Sequence, residues 1–128
     1  MSALHQNAPK FLNLARIRFP VGAIASIGHR VSGVVLFVAL PFFALALERS
    51  LNSEADFQAL HALVSARWRA VLLVVLVWAA THHVLAGIRH LLMDVGVGSR
   101  LAQARASAWG VIVGGIVAAV AAAIGWLA

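Results

Sequence analysis

Residues 106–128 read ASAWGVIVGGIVAAVAAAIGWLA, and none of these 23 residues is charged. A helix of roughly 20 apolar residues is enough to cross the ~30 Å hydrocarbon core of a lipid bilayer. The segment is long enough for that, and its composition leaves no polar face to turn toward water. It therefore predicts a transmembrane helix.

Two more apolar runs precede this segment. No residue from Val31 to Leu47 is charged, and the turns before that run extend it toward Pro20, a residue suited to the start of a helix. A cleavable signal peptide is the alternative for this first run, but its apolar region would be shorter and nearer the N-terminus. We therefore expect a retained span. The predicted segments are a polar, basic lead over 1–19, spans over about 21–48, 70–93 and 106–128, a polar connection over 48–69 with a short surface helix in its middle, and a loop over 94–105.

The composition agrees with a chain that lies mostly in lipid. Apolar residues make up 62% of the sequence and charged residues 11%, against about 25% charged residues in soluble domains. The predicted fold is an all-α membrane protein with three transmembrane helices, forming one membrane-anchor domain over 1–128. With no cysteine, the chain supplies no thiolate for an iron–sulfur cluster, no disulfide and no covalent haem attachment.

The net charge of +6 reflects basic residues that mostly flank the apolar runs. This pattern is typical of membrane topology and argues against a nucleic-acid partner, which needs a basic patch on a polar surface. Five basic residues lie before the first span or between the second and third, against three in the connection between the first and second. The excess predicts an N-terminus on the inner side. The residues counted are Lys10, Arg16, Arg18, Arg100 and Arg105 on one side and Arg49, Arg67 and Arg69 on the other.

Polar residues inside the spans are costly, so they indicate function. In the first span Ser26, His29, Arg30 and Gly33 share one helical stripe, and a second stripe follows one face of the second span. Counting about 1.5 Å per residue places both stripes ~9–15 Å from the same membrane face, because the two spans are antiparallel. We expect the two stripes to meet. The second stripe consists of His83, Gly87, His90 and Asp94.

An imidazole inside a helical bundle is the iron ligand of b-type cytochromes, which hold haem without a covalent bond. His83 is a candidate for that role, with room for a flat macrocycle beside Gly87, and His82 is a rival that faces another direction. His29, Arg30 and His90 can neutralise the haem propionates or bind another anion. The alternative is that each histidine makes only an interhelical hydrogen bond.

Ser26 and Arg30 are one helical turn apart, so both can donate to the same carbonyl oxygen. A quinone presents such an oxygen, and Arg30 would stabilise the negative charge that forms there on reduction. The alternative is an arginine that snorkels to the membrane surface beside a serine bonded to its own helix. In the third span, Gly110, Gly114 and Gly115 predict a helix-packing surface without chemistry.

Two stretches of the sequence resemble signatures of the cytochrome b subunit of succinate dehydrogenase, the larger of its two membrane anchors. Residues 17–33 read IRFPVGAIASIGHRVSG, whose core over 26–33 is highly specific. Residues 83–94 read HVLAGIRHLLMD and match H-x-x-x-G-x-R-H-x-x-x-D. The separation of the two signatures and the three-span layout also match across nearly the whole chain.

The resemblance implies a role for each matching residue. His83 corresponds to the axial haem ligand, ahead of His82, which is off the motif by one. Ser26 and Arg30 correspond to residues of the ubiquinone site. The remaining implied positions are His29, His90 and, more weakly, Arg89 near the haem propionates, and Asp94 in an electrostatic or structural role.

The resemblance also implies cofactors and partners. These are haem b shared with a second small anchor subunit, ubiquinone as substrate, an iron–sulfur subunit and a flavoprotein subunit that oxidises succinate. No succinate chemistry is expected on this chain, and the quinone-binding tyrosine of the family belongs to the small anchor, in agreement with the absence of tyrosine here. The implied location is a bacterial inner membrane with a cytoplasmic N-terminus. The alternatives are a fumarate reductase anchor, with or without haem, and a purely structural scaffold.

Overall fold

The computed structural model describes residues 18–65 and 69–127 of the chain. Within these ranges it consists of helices joined by short turns, with no strand. The predicted all-α architecture is confirmed. The helices are α1 over Val21–Asn52, α2 over Glu54–Ser65, α3 over Ala70–Asp94 and α4 over Leu101–Leu127.

Three of these helices are long and apolar enough to cross a membrane. The most apolar stretch has a mean hydropathy of 2.2 in α1 and 2.1 in both α3 and α4. Most of their large apolar side chains point away from the bundle, and Phe37, for example, is 78% exposed. Such a surface is stable only against lipid or another apolar subunit. The prediction of three spanning helices is thus confirmed within the described residues.

The polar connection between the first two spans contains the predicted surface helix, α2. Ser53 ends α1 and begins α2, where its Oγ accepts a hydrogen bond from the backbone N–H of Asp56 at 3.0 Å and donates to Oδ2 of Asp56 at 2.9 Å. The cap satisfies one of the free N–H groups at the start of α2, that of Asp56. Since α1 continues to Asn52, it is longer than the predicted span over 21–48.

The predicted loop over 94–105 is wrong in its second half, because α4 already begins at Leu101. Charged and polar residues mark the edge of the apolar core, but residues such as Ala, Gln and Arg continue a helix beyond that edge. The actual turn is short and contains Gly96 and Gly98 with φ values of +84° and +74°. Side-chain-bearing residues rarely adopt that conformation, so the turn depends on glycine at both positions.

Small residues allow the three long helices to pack closely. The most buried side chains include Ala25, Ala79, Ala86 and Ala108, each no more than 1% exposed. α3 packs against both α1 and α4 and so forms the centre of the bundle. A Cβ on Gly114 would lie 2.7 Å from Cδ1 of Leu85, which confirms part of the predicted packing surface on α4. Close backbone approach of this kind is the usual basis of helix association in membranes.

Candidate functional site

Four residues of the two predicted stripes meet between α1 and α3 and form what we call the histidine cluster: His29, His83, His90 and Gly87. The rings of His29 and His83 are stacked, with centroids 4.2 Å apart and planes 25° apart. The His29 and His90 rings are 5.3 Å apart. A Cβ on Gly87 would lie 3.6 Å from Nε2 of His29. The predicted meeting of the two stripes is confirmed for these residues, whereas Arg30 and Asp94 of the same stripes are exposed.

The ring of His83 is oriented by hydrogen bonds at only one of its nitrogens. Nδ1 lies 3.1 Å from the backbone carbonyl oxygen of His29 and 3.2 Å from Oγ of Ser32. A carbonyl oxygen only accepts, so Nδ1 carries the proton and donates. Nε2 is then the nitrogen with the free lone pair. Among the residues that the structure describes, none bonds to this nitrogen, and it is not enclosed.

The ring of His83 also needs the glycine that ends the first signature. A Cβ on Gly33 would lie 3.0 Å from Cε1 of His83, closer than nearly all real Cβ contacts. Gly33 therefore provides the space that the imidazole occupies against α1. The ring of His83 itself is half-buried, with one edge against α1 and the ring of His29 stacked on one face.

His82, the rival ligand, lies in a different environment. Its side chain is 3% exposed, and Nε2 is 3.3 Å from the carbonyl oxygen of Ala25. A Cβ on Gly28 would lie 2.6 Å from Nε2, and one on Gly115 would lie 3.3 Å from Nδ1, so α1 and α4 both close on this ring. The ring of Trp78 stacks on it at 5.4 Å. No space is left around His82 for a porphyrin.

Ser26 and Arg30 lie one helical turn apart on α1. Ser26 is half-buried and Arg30 is exposed. No hydrogen bond or ion pair joins Arg30 to another residue within 18–65 and 69–127. At about 1.5 Å per residue, Arg30 is ~14 Å from the start of α1. A guanidinium at that depth requires an anionic or polar neighbour that these helices do not supply.

Arg89 does not join the histidine cluster. It is 8% exposed and turns toward α4, where Nε donates to Oγ of Ser107 at 3.1 Å and Nη2 donates to the carbonyl oxygen of Ala104 at 3.1 Å. The guanidinium thus ties α3 to α4. Its assignment to the propionate region therefore stays a prediction. Asp94, the last residue of α3, is exposed.

Ser32 contacts the histidine cluster, although the sequence analysis does not single it out. It is completely buried, and its Oγ donates to the carbonyl oxygen of His29 at 2.8 Å while it faces Nδ1 of His83. Its position was visible as a small hydroxyl residue three places after His29, inside the first signature. Sequence does not reveal that its oxygen reaches across to α3.

The part of the chain described by the structure contains no group of three or more His, Cys, Asp or Glu side chains arranged to hold a metal ion. A bare metal site made by this chain would need several such ligands. Haem iron differs, because the porphyrin supplies four nitrogens and the protein adds only axial ligands. The arrangement can therefore offer one imidazole nitrogen to a haem.

Comparison with known proteins agrees with this layout. Residues 5–122 match the family model of the succinate dehydrogenase/fumarate reductase transmembrane subunit. A succinate dehydrogenase cytochrome b556 subunit of Coxiella burnetii is 37% identical over 125 residues, covering 97% of this chain and 99% of that protein. The subunit of the same name from Paracoccus denitrificans is 32% identical over 114 residues, covering 89% of this chain and 88% of that protein. A third, from Rickettsia felis, is 27% identical and covers 86% of each chain.

These matches extend over all three long helices and both signatures. The resemblance drawn from the two signatures is therefore confirmed. The chain belongs to the family of transmembrane subunits of succinate dehydrogenase and fumarate reductase, an oxidoreductase complex of the membrane.

Proposed function

We propose that this chain is the anchor subunit of succinate dehydrogenase that binds haem b through His83 and forms part of the ubiquinone-reduction site. The observation that carries the proposal is the hydrogen bond from Nδ1 of His83 to the carbonyl oxygen of His29, at 3.1 Å. It leaves the lone pair of Nε2 available at the open side of the ring. Histidine ligands of metals are usually oriented in this way by a hydrogen bond at the other nitrogen.

The residues around His83 fit a haem. The ring is half-buried, so iron at Nε2 would lie at the edge of the three-helix bundle and not inside it. Gly87 adds no side chain to that region, and His29 and His90 can donate to carboxylates. The cytochrome b name of the relatives agrees with this assignment. When bound, the haem supplies a one-electron store beside the quinone.

A haem at the edge of the bundle requires a second protein surface on its other side. We propose that the small anchor subunit provides it, together with the second axial ligand. The guanidinium of Arg30 is exposed and has no partner among the described residues, which supports a neighbour on this side of α1, because lipid tails cannot solvate it. The iron–sulfur subunit would dock at the same membrane face, with the flavoprotein subunit beyond it. Succinate is oxidised on the flavoprotein and not on this chain.

We assign the quinone site to Ser26 and Arg30. Their side chains are at i and i+4 on α1, so the hydroxyl and the guanidinium can both donate to one carbonyl oxygen of ubiquinone. Reduction of ubiquinone takes two electrons and two protons and builds negative charge on that oxygen before the protons arrive. Arg30 stabilises this charge, while Ser26 fixes the position of the oxygen. Neither side chain needs to transfer a proton.

The same proposal gives the chain an orientation. The α1 end that carries the quinone residues follows the basic lead, and the turn that precedes α4 contains Arg100. Basic residues concentrate on the cytoplasmic side of bacterial membrane proteins. We therefore propose a bacterial inner-membrane location with a cytoplasmic N-terminus, so that the quinone site faces the subunits that supply electrons.

The reduced-minus-oxidised absorbance spectrum of the purified complex tests the proposal. We expect a b-type band in the wild-type complex and its loss in His83→Ala, with the other subunits still assembled. His61→Ala is the matched control, because His61 is exposed on α2, far from the cluster. An unchanged band in His83→Ala, or no band in the wild type, would show that the haem assignment is wrong.

A further inference from the structure

Ser32 has a position that helix packing alone does not explain. Its side chain is 0% exposed, and its oxygen lies between two groups of the histidine cluster: the carbonyl oxygen of His29 at 2.8 Å and Nδ1 of His83 at 3.2 Å. The first contact is within α1 and the second crosses to α3. Serines in membrane helices often bond to the backbone of their own helix, but such a local bond accounts only for the first contact.

The hydrogen atoms can be assigned from the chemistry of the partners. The hydroxyl hydrogen of Ser32 points to the carbonyl oxygen of His29, which can only accept. A lone pair of Oγ is then left to face Nδ1 of His83. The proton on Nδ1 consequently lies between two acceptors, the His29 carbonyl oxygen and the Ser32 hydroxyl oxygen. Both favour the tautomer with the proton on Nδ1.

We propose that Ser32 is a positioning residue for the haem ligand: its oxygen holds the proton on Nδ1 of His83, fixes the ring plane and makes Nε2 a stronger donor to iron. The inference rests on the proposed haem role of His83. An acceptor at the far nitrogen raises the basicity of an imidazole ligand, and hydrogen bonding around the ligands is one of the factors that set a haem potential. A stronger donor stabilises ferric over ferrous iron, so Ser32 lowers the midpoint potential of the haem.

Removal of the Ser32 oxygen is expected to change the haem potential without abolishing haem binding. Without Ser32 the His29 carbonyl oxygen still accepts from Nδ1, so the ligand remains but loses one of its two acceptors. We therefore expect haem to stay bound in Ser32→Ala, with a higher midpoint potential and a ring that is less fixed. A purely structural serine would change assembly or stability without moving the potential.

The test uses the assembled, membrane-extracted complex. The midpoint potential of the haem is measured by potentiometry on the b-type band, and the low-temperature EPR spectrum of the oxidised haem reports the ligand orientation. In Ser32→Ala we expect a positive shift of the potential, a displaced or broadened EPR signal and an unchanged haem content per flavin. If this variant does not assemble, Ser32→Cys replaces it, since the thiol has a similar size but is a weak acceptor.

Ser50→Ala provides a matched control. Ser50 is also on α1 and its Oγ donates to the carbonyl oxygen of Leu47 at 2.7 Å, three residues earlier, which is the same local bond that Ser32 makes. No histidine within 18–65 and 69–127 bonds to Ser50. A shift in the Ser32 variant with none in Ser50→Ala supports the inference. Wild-type haem properties in the Ser32 variant, or an equal shift in both, overturn it, whereas a wild-type complex without haem contradicts the proposed function instead.

Discussion

His82 and His83 are consecutive residues of α3, yet they lie in two opposite kinds of environment. His82 is 3% exposed and enclosed by α1 and α4, whereas His83 is half-buried with one ring nitrogen open. Consecutive side chains of an α-helix point about 100° apart, so His82 points into the bundle while His83 points to a less enclosed region. Each ring has one nitrogen without a hydrogen-bond partner among the described residues, but that of His82 is enclosed and that of His83 is not. Under the proposed function, access to this nitrogen and not burial of the histidine indicates the ligand.

The enclosed ring of His82 has a structural role that compensates for the burial of an unbonded nitrogen. Nδ1 of His82 is buried without a hydrogen-bond partner within the described residues, which is unfavourable. In return, the ring fills the space between three helices whose facing residues are small, Gly28 on α1 and Gly115 on α4. His82 thus belongs to the core of the bundle, whereas the histidines of the cluster are only partly buried, and the proposed function places another subunit beside them.

Replacing Arg30 should have the largest effect. In the proposed quinone site, Arg30→Ala would remove the donor that stabilises the developing charge on the quinone oxygen, and loss of one such donor lowers turnover by about 10²-fold. Quinone reduction by succinate is measured against succinate oxidation with a soluble dye, which should stay normal. Arg49→Ala, at the far end of α1, is the control. Full quinone turnover in Arg30→Ala would remove the guanidinium from the site.

Gly28→Ala should disturb the packing around His82. The new Cβ would lie 2.6 Å from Nε2 of His82, and this ring has no room to move away. Overpacking of this kind costs about 1–3 kcal/mol. We expect a lower temperature of complex dissociation, read from gel mobility after heating, while the haem spectrum of the intact fraction is unchanged. A haem spectrum altered as strongly as in His83→Ala would mean that the two environments are not separate.

Gly33→Ala should displace the ring of His83. The new Cβ would lie 3.0 Å from Cε1 of His83, so the ring must shift by a few tenths of an ångström. Because one side of this ring is open, we expect little loss of stability but a changed EPR signal of the oxidised haem. Its haem content, measured per flavin, should remain near that of the wild type. A complex that fails to assemble would show that His83 is packed as tightly as His82.

Gly110→Ala should have the smallest effect. A Cβ on Gly110 would meet nothing within 4 Å, whereas one on Gly115 would lie 3.3 Å from His82 and Trp78. We expect a change within about 0.5 kcal/mol for Gly110→Ala, as for substitutions that touch no packed group, and a measurable loss for Gly115→Ala. The same heating assay compares the two. Equal losses would mean that the outer face of α4 is covered by another subunit.

The sequence predicted the membrane spans because hydropathy depends only on composition. It misplaced the start of α4 at residue 106, since the edge of the apolar core and the end of the helical hydrogen bonds are separate properties, and Leu101 to Arg105 continue the helix in polar residues. The meeting of the histidine stripes was predictable from helical periodicity and antiparallel spans. This required no knowledge of side-chain conformations.

Contacts that depend on the rotation of each helix were not predictable. The turn of Arg89 toward α4, the enclosure of His82 and the reach of Ser32 to His83 all follow from how α3 is rotated between its neighbours. That rotation is set by the small residues at the helix contacts, whose pattern in the sequence is compatible with several faces. The proposed roles of Ser26 and Arg30 would depend in addition on other subunits.

A cryo-EM map of the purified complex, at a resolution that separates side chains, would distinguish the roles of His82 and His83. We expect a porphyrin outside the three-helix bundle with its iron at Nε2 of His83, Nδ1 of that ring against the His29 carbonyl oxygen, and the ring of His82 closed in by Gly28 and Gly115. Porphyrin density at His82, or an Nε2 of His83 bonded to protein with no porphyrin near it, would show that the proposed haem site is wrong.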